Sequence, residues 1–419
     1  MSVRARLWAV LLSGALVLVA CVGESDEGTA EPSGGQETSS SGASAADVEA
    51  ENQEIIDRLT GAVNVRTIAR NVESWPRRIG GEGRNPVPHT SEYLLLSARD
   101  ELGARTEIRL VQSPFPSAIR DNTPGEVVPR KQSDKGGPGT PVFNDDHVVW
   151  MTDTEPDLGV ELWELYAHDR ASGETTMLAK ARLLGGDVAP PPDPGYTDPV
   201  LLDEHVYWAQ VGGAFKDLHV DIYGCEIADC TPERVARNAA YPYRIDDHTL
   251  AYVEGGKFSR KGERSTPVTM VVQDMNTGAV EEYETGEDVT VVGGFAASHR
   301  YLVWTRGLPG KGRQPERAEW LVRDTGERGH VDSRPRRGGF GYPEATDTFV
   351  VWGEVTGDSP DRIAGYLIRP GDDTLYKVGN SSGLYGFDVD GRRLQWREQK
   401  PGGGPDEIRY VTGLVPPAP

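Results

Sequence analysis

The sequence has few cysteines, few long apolar runs and a shortage of basic relative to acidic side chains. Its 419 residues include 3 Cys, none spaced as Cys-x-x-Cys, so thiol redox chemistry of that kind is excluded. The apolar run at residues 7–20 is too short to span a bilayer comfortably, and no other segment is long and apolar enough to cross one. The formal net charge of -21 repels nucleic acid and anionic lipid, so we expect no nucleic-acid partner.

The N-terminus carries the pattern of a processing signal. Arg4 and Arg6 precede the apolar run of residues 7–20, which is about fourteen residues long and suits a signal peptide. The run ends in Leu18-Val19-Ala20-Cys21, which resembles the bacterial lipobox. The resemblance implies removal of residues 1–20 and lipidation of the Cys21 thiol, and so a lipid-anchored, extracytoplasmic protein of the bacterial cell membrane. The alternative is an ordinary secretory signal followed by a chance cysteine.

Two polar segments flank a more structured N-terminal region. Residues 21–45 are rich in Ser, Gly and Glu and cannot bury enough apolar surface to fold, so they read as a lipid anchor and disordered tether. Residues 113–139 are rich in Pro, Gly and Lys and predict a loop. The chain ends in a Pro-rich tail at 415–419.

Residues 46–112, between those polar segments, predict a helical segment followed by one strand. An apolar stripe predicts a helix over 46–59, and Leu94, Leu95, Ala98 and Leu102 predict a second over 91–102. Residues 106–111 alternate between polar and apolar side chains, which is typical of a strand.

A sixfold repeat organises the rest of the chain. Each copy is a polar turn followed by a short apolar run that ends in an aromatic residue. The copies are Asp145–Trp150, Asp203–Trp208, Asp246–Tyr252, Ser298–Trp304, Asp347–Trp352 and Asp390–Trp396. The period is about 50 residues, which indicates a propeller or a solenoid built from short strands. The 50 Gly and 30 Pro of the chain suit many turns better than long helices.

Hairpins complete each repeat unit. Most copies are followed by a second pair of apolar runs joined by a turn such as Asn276-Thr277-Gly278, whose glycine supplies the positive φ of a tight hairpin. Four antiparallel strands per unit make one blade, so residues 140–414 predict an all-β, six-bladed β-propeller. The last unit lacks its outer strand. We predict that 106–111 closes the ring there; the alternative is that 91–111 packs as a separate α+β cap.

The repeat resembles the TolB-type six-bladed propellers of bacterial envelopes. The residues that carry the resemblance are Asp347–Trp352 and the Asp-x-x-Thr-Gly hairpin at Asp274–Gly278, and the similarity covers roughly 140–414. Propellers of this class serve mostly as binding platforms, and some are fused to hydrolase domains. The resemblance therefore implies the architecture more firmly than any activity.

The remaining cysteines, Cys225 and Cys230, flank a hairpin turn. Export places them in an oxidising compartment, where a disulfide closing this loop contributes about 2 kcal/mol on the chain-entropy model. Two cysteines with no other ligands nearby make a poor zinc site. We therefore predict a structural disulfide.

The loops after the second strand of each unit and the connections between units share one face of a propeller. Basic residues concentrate on this face in three neighbouring segments, and aromatic residues lie at the start of the units near the central mouth. The candidate ligand-binding residues are Lys257, Arg260, Lys261, Arg264, Arg306, Lys311, Arg313, Arg317, Arg334, Arg336, Arg337, Tyr241, Tyr243, Phe340 and Tyr342. Arginine recognises carboxylate or phosphate, and aromatic rings offer stacking faces. The alternative is that the basic loops are simply solvated and the aromatics pack between blades.

Histidines recur in the polar turns, at His147, His205, His248 and His299. We predict that they fill turns and bind no metal, because matching positions on different blades are spread around a ring. The Gly379–Gly383 segment matches Gly-x-Ser-x-Gly but has no helix after it, so no catalytic nucleophile is assigned.

The function predicted from these features is binding. We expect a monomeric envelope lipoprotein, without cofactor, whose propeller is a non-catalytic platform for a protein, a glycan or an anionic ligand. The alternative is a propeller enzyme, a hydrolase or lyase of an envelope glycan, with its site at the central mouth. Two carboxylates about 5 to 10 Å apart in that mouth would favour the enzyme, and no paired-acid motif stands out on the loop-rich face.

Overall fold

The computed structural model describes the helix and following residues at 44–59, strands between 64 and 128, most of 141–378, and strands between 385 and 414. Side chains are described within 44–59 and 141–378. The predicted signal peptide, Cys21, the tether as far as residue 43 and the tail at 415–419 lie outside the described residues. No helix among the residues described has both the length and the apolar character needed to span a membrane.

The N-terminal helix, α1, spans Ala45–Arg58, within a residue of the predicted bounds. Its last turns bury Ile55, and Leu59 just beyond the helix is also buried. Both residues pack against side chains of two adjacent sheets, including Trp320 and Trp352. The helix is therefore held by an apolar face, as helices in proteins generally are.

All other described elements are strands. In chain order they are β1 (Asn64–Thr67), β2 (Arg70–Glu73), β3 (Asn85–Pro88), β4 (Tyr93–Arg99), β5 (Arg105–Gln112), β6 (Glu126–Val128), β7 (Val142–Phe143), β8 (His147–Asp153), β9 (Trp163–Asp169), β10 (Thr175–Lys180), β11 (Val200–Leu202), β12 (His205–Gly212), β13 (His219–Glu226), β14 (Glu233–Ala236), β15 (Ala239–Arg244), β16 (Thr249–Glu254), β17 (Thr269–Asp274), β18 (Val280–Glu284), β19 (Gly294–Ala297), β20 (Tyr301–Gly307), β21 (Glu316–Val322), β22 (Arg328–Asp332), β23 (Glu344–Ala345), β24 (Val350–Val355), β25 (Ile363–Ile368), β26 (Thr374–Val378), β27 (Tyr385–Asp390), β28 (Arg393–Gln399) and β29 (Ile408–Leu414).

These strands form seven sheets within the described part of the chain. The first to fifth sheets are four-stranded antiparallel units of consecutive strands: β3–β6, β7–β10, β11–β14, β15–β18 and β19–β22. The sixth is β23–β26 with β1 added as a fifth strand, and the seventh is β27–β29 with β2 added as its fourth. The first strands of successive sheets contact one another from β7 to β27, and β27 contacts β3 of the first sheet. Such a succession of antiparallel sheets, packed side by side through their first strands, is the arrangement of a β-propeller.

The sequence predicts six sheets, but the described part of the chain has a seventh, which is formed by residues before 140. Residues 91–102 do not form the predicted helix: β4 occupies 93–99 and pairs with β5. A short apolar run such as Leu94-Leu95-Leu96 does not distinguish a buried strand from a helix, so pairing with a neighbouring strand decides the outcome. The predicted loop at 113–139 contains β6, which completes this additional sheet.

The predicted ring-closing strand is also corrected. Residues 106–111 do form a strand, within β5, but β5 pairs with β4 and β6 and so belongs to the first sheet. The outer strand missing from the last unit is instead β2, which pairs antiparallel with β29. Residues 106–111 pair with strands that are close by in the sequence, because strands joined by short connections usually lie side by side.

The N-terminal strap, as we call residues 45–73, covers the outer edges of three successive sheets. Leu59 forms a bridge with Val331 on β22, the outer strand of the fifth sheet. β1 pairs in parallel with β26 of the sixth sheet, and β2 pairs with β29 of the seventh. Exposed strand edges invite pairing with other chains, so this segment both completes the fold and protects it.

The aromatic ends of the repeat form the packing between sheets. Trp150, Trp208, Tyr252, Trp304 and Trp352 are all at most 4% exposed. The Trp352 ring stacks 6.2 Å from that of Trp320, which belongs to the preceding sheet. The rings of Trp208, Tyr252, Trp304 and Trp352 lie in apolar clusters that join two neighbouring sheets, so the repeat that predicts the architecture also forms its core.

Local turn chemistry and a disulfide fix the hairpins. In the Asp274–Gly278 turn the Asp274 carboxylate accepts the backbone N–H groups of Asn276 and Thr277, and Gly278 has φ 74°. Cys225 and Cys230 are joined, with their Cα atoms 5.1 Å apart, as the sequence predicts. These features set the register of the outer strands.

A buried ion pair holds the strap to the ring. The Arg58 guanidinium donates from Nη1 to Glu354 Oε1 at 2.6 Å and from Nη2 to Oε2 at 3.1 Å. The same Nη1 donates to the backbone oxygen of Asp332 at 2.9 Å. The Glu354 side chain is 1% exposed, so this guanidinium stabilises a carboxylate that water hardly reaches.

We predict that Arg58→Ala lowers the free energy of unfolding by about 3 kcal/mol, because it leaves a buried carboxylate without its guanidinium. Urea unfolding of the full chain measures this, and adding Glu354→Gln should restore much of the loss. Arg244→Ala is the matched control, since it removes an exposed pair with Asp247 and should cost about 0.5 kcal/mol or less. Equal effects of Arg58→Ala and Arg244→Ala would contradict the prediction.

Candidate functional site

Side chains from three neighbouring first strands meet, and Tyr241, Tyr243 and Phe295 pack in the apolar cluster between the fourth and fifth sheets. We call Tyr241, Tyr243, Phe295 and Glu344 the channel cluster. The tyrosines lie on β15, Phe295 on β19 and Glu344 on β23, the first strands of the fourth, fifth and sixth sheets. The first strands of propeller blades line the central channel, so the cluster lies where a propeller can hold a ligand.

The Tyr243 side chain spans one whole sheet. Its hydroxyl donates to Glu344 Oε2 at 2.6 Å, although the two residues belong to the fourth and sixth sheets. Its ring meets the Phe295 ring of the intervening sheet edge-on, with centroids 6.4 Å apart and planes at 77°. The Tyr243 ring packs against the apolar cluster between the fourth and fifth sheets, and its hydroxyl reaches the sixth sheet.

An irregular backbone aims the two tyrosines. The pairing of β15 with β16 shifts between Ala240 and Tyr243, which marks a β-bulge. Tyr241 in this bulge has φ 56°, an unusual conformation for a bulky residue. Pro242 fits here because a bulge does not need its missing N–H. The Tyr241 hydroxyl donates to the Val292 backbone oxygen at 2.8 Å, which ties the bulge to the fifth sheet.

Backbone strain of this kind recurs at functional sites, where the surrounding structure has to enforce it. Here two hydrogen bonds hold the bulge in place: the Tyr241 hydroxyl donates to the Val292 backbone oxygen, and the Tyr243 hydroxyl donates to Glu344. The proline between two tyrosines, at Tyr241-Pro242-Tyr243, is the feature of the sequence that could have predicted the bulge. Nothing in the sequence indicated that Glu344 would be the partner of Tyr243.

Two of the predicted ligand-binding arginines form ion pairs with acidic residues of their own sheet. Arg306 is 8% exposed, and its Nη2 donates to Glu319 Oε1 at 3.0 Å. Arg317 donates from Nε and Nη2 to the two carboxylate oxygens of Asp332, at 2.6 and 3.0 Å. Both arginines lie on paired strands, where cross-strand acids are close by, rather than in an exposed loop. Their guanidinium groups are therefore engaged by acids of their own sheet, and their role in ligand binding stays a prediction.

The other basic candidates stay predictions. They lie outside the described residues: Lys257, Arg260, Lys261, Arg264, Lys311, Arg313, Arg334, Arg336 and Arg337. The same holds for Tyr342. Phe340 is described, and it bridges to Glu354 while its N–H donates to Glu316 Oε2 at 2.7 Å. Phe340 thus packs between the fifth and sixth sheets, which is the packing alternative left open for the aromatics.

The recurring turn histidines come closer to one another than expected. Asp246 Oδ1 lies 3.5 Å from His248 Nδ1, and its Oδ2 lies 3.3 Å from His299 Nε2 on the next sheet. Burial acts to raise the pKa of Asp246, but the His248 N–H, the Thr249 hydroxyl and the two imidazoles outweigh it, so the pKa is lowered. Within the described side chains no group of His, Cys, Asp or Glu has the arrangement of a metal site. His248 and His299 therefore join the fourth and fifth sheets through Asp246.

One acidic pair lies on the fourth sheet away from the channel. Burial, with the nearby Glu282 carboxylate, raises the pKa of Glu254. Burial and these two carboxylates also raise the pKa of Tyr252 to about 12. Glu254 ends the second strand of its sheet and Glu282 lies on the fourth, so this pair belongs to the outer part of the blade.

Comparison with known proteins returns no family model and no curated protein that matches this chain. Among solved structures, the β-propeller domain of the Trilobed protease from Pyrococcus furiosus has a TM-score of 0.48 at 10% identity, covering 79% of this chain and 93% of that one. An oligogalacturonate lyase in complex with manganese has a TM-score of 0.45 at 10% identity, covering 84% and 97%. A post-proline cleaving enzyme from Rickettsia typhi has a TM-score of 0.46 at 8% identity, covering 77% and 50%. Likeness at this level carries no functional argument, and the TolB-type affinity stays a prediction.

We predict that Tyr243 and Glu344 are energetically coupled. Tyr243→Phe should lower the free energy of unfolding by about 1.5 kcal/mol, because it removes a hydrogen bond to a carboxylate. A double-mutant cycle with Glu344→Gln, measured by urea unfolding, should give a coupling of about 1 kcal/mol. Tyr166→Phe is the control: it removes a similar bond, to Glu164 within one strand, and should show no coupling to Glu344→Gln. Additive effects of Tyr243→Phe and Glu344→Gln would contradict the contact.

Proposed function

We propose that this protein is a non-catalytic binding platform that holds its ligand at the centre of the propeller. The observation that carries the proposal is the convergence of Tyr241, Tyr243, Phe295 and Glu344 from three sheets. Tyr241 and Tyr243, both half-buried, combine aromatic rings and hydroxyl groups with the Glu344 carboxylate, a mixture that is typical of binding sites. In this proposal the chain is an envelope lipoprotein anchored through Cys21, with its propeller outside the bacterial cell membrane.

The ligand of this platform is a protein or a glycan in our proposal. Aromatic rings and a carboxylate suit either, since both present apolar faces beside hydrogen-bond donors. An anionic ligand has weaker support among the described residues, because Glu344 is itself acidic and Arg306 and Arg317 are paired with acids. Its support rests on the nine basic residues outside the described part of the chain.

A glycan hydrolase or lyase is the second candidate. Burial and the charge of Glu282 raise the pKa of Glu254, and glycoside hydrolysis uses a pair of acidic residues. This pair lies on the outer part of the fourth sheet, whereas the enzyme hypothesis needs it in the central mouth. Binding is therefore the better supported role.

The test is a pull-down experiment. The full-length protein is solubilised in detergent, immobilised, and incubated with envelope extract of the bacterium that makes it. We expect a species that the wild type retains, that the Tyr243→Phe/Glu344→Gln variant loses, and that mass spectrometry finds chemically unchanged. Tyr166→Phe is the control and should retain the species. Equal retention of the species by the wild type and the Tyr243→Phe/Glu344→Gln variant would contradict the proposal, and so would release of the species in a cleaved form.

A further inference from the structure

The outer strand of the fourth sheet is uncovered and regular. The strap covers the outer edges of the fifth, sixth and seventh sheets, whereas β6, β10, β14 and β18 each end their sheet within the described part of the chain. Three of these four strands have the usual protection of a sheet edge: β6 is three residues long, and register shifts interrupt the pairing of β10 and β14. β18 instead pairs with β17 over five consecutive residues without a shift. It is therefore the uncovered strand that is best shaped to receive another strand.

The backbone of β18 directs hydrogen-bonding groups away from its own sheet. The N–H of Thr285, just after β18, donates inward to the residue before β17, so every second residue of this unbroken pairing faces inward. Val280, Glu282 and Glu284 are the alternate residues, and their N–H and C=O groups face outward. Arg328 of the fifth sheet donates to the Glu284 backbone oxygen, which agrees with this direction. The outward groups of Val280 and Glu282 have no hydrogen-bond partner among the residues that the structure describes.

The side chains of the same residues are exposed, and two of them are acidic. Val280 is 50% exposed, the more exposed of the two large hydrophobic side chains that stand out from the described surface. Glu282 and Glu284 are exposed and share a face of the sheet with Val280, because they alternate along the strand. Cross-strand pairing places Glu254 of β16 on that face as well.

These three carboxylates repel one another. Burial and the charge of Glu282 raise the pKa of Glu254. Glu254, Glu282 and Glu284 form no ion pair with any residue in the described part of the chain. A cation that approached this face would therefore relieve the repulsion between the carboxylates.

We propose that the β18 edge, by which we mean the outward backbone groups and side chains of residues 280–284, binds an extended segment of a partner protein by strand addition. The segment carries Lys or Arg on the face that meets Glu282 and Glu284. In strand addition the main-chain hydrogen bonds supply affinity, and alternate side chains supply specificity. The β18 edge lies apart from the channel cluster, so this inference goes beyond the proposed function.

The chain itself shows that outer edges of these sheets accept an added strand. β1 pairs in parallel with β26 over four residues, and β2 pairs antiparallel with β29 over four residues. Both added strands come from the strap, which lies far from its partner strands in the sequence. Pairing at these edges therefore needs no short connection to the sheet, and a strand of another protein can make the same hydrogen bonds.

Charge selects the occupant of the β18 edge. A second copy of this chain brings a further formal charge of -21, and pairing β18 with its equivalent would set acids against acids. Like charges opposite one another destabilise a strand pair, whereas opposite charges stabilise it. The acidic edge therefore disfavours association between copies of this chain and favours a basic strand.

The test is binding of a fluorescent hexapeptide that alternates lysine and valine. Its binding to the full-length protein is measured by anisotropy in about 150 mM NaCl, where charges beyond about 8 Å are screened. Glu282→Gln/Glu284→Gln should weaken binding about fivefold, because it removes two cross-strand charge pairs. Glu174→Gln/Glu204→Gln is the matched control: it changes the net charge equally, in exposed turns of the second and third sheets, and should alter binding less than about twofold.

A hexapeptide of the same sequence with N-methylated amides is the comparison probe. It keeps the lysine charges but cannot donate main-chain hydrogen bonds, so it should bind at least about tenfold more weakly. Equal binding of the two peptides would overturn the inference, because charge alone would then explain the attraction. Equal weakening by the two double variants, or no binding of the unmodified peptide, would overturn it as well.

Sedimentation of the wild type tests whether a second copy occupies the edge instead. We expect no dimer whose dissociation constant changes in Glu282→Gln/Glu284→Gln. Such a dimer would show that the β18 edge pairs with another copy of this chain, and it would overturn the inference.

Discussion

Closure of the ring is the constraint on which the rest of this structure depends. The sheets of a propeller bury their faces against their neighbours, so a ring with one incomplete sheet would leave apolar surface and a strand edge exposed. The C-terminal unit reaches only three strands, and β2, from more than three hundred residues earlier, supplies the fourth. Neither end of the folded chain can therefore complete the architecture alone.

The same N-terminal strap links architecture to function. It pairs with the sixth and seventh sheets, contacts the fifth, and is held between the fifth and sixth by the buried Arg58–Glu354 pair. The channel cluster joins the fourth, fifth and sixth sheets, and its geometry requires that these sheets keep fixed positions. A strap that holds the outer edges thus supports the spacing of the inner strands, where we place the ligand.

The sequence predicted the features that arise from local chemistry. The repeat that ends at Trp352, the Asp274–Gly278 turn, the helix near 46–59 and the Cys225–Cys230 bond each depend on residues near one another in the chain. Pairings between distant residues were missed. β1 and β2 are four-residue strands without distinctive periodicity, and their partners lie at the opposite end of the sequence. Arg306 seemed a surface cation until pairing of β20 with β21 placed Glu319 beside it, and Glu344 meets Tyr243 only because the ring curves.

Native-state hydrogen exchange of the strap tests ring closure most directly. If β2 completes the seventh sheet, the backbone amides of residues 70–73 should exchange together with those of β29 at 408–414, as one cooperative unit. That result would show that the two ends of the chain open and close together. Rapid exchange of 70–73, as in an unstructured peptide, while β29 stays protected, would contradict the account.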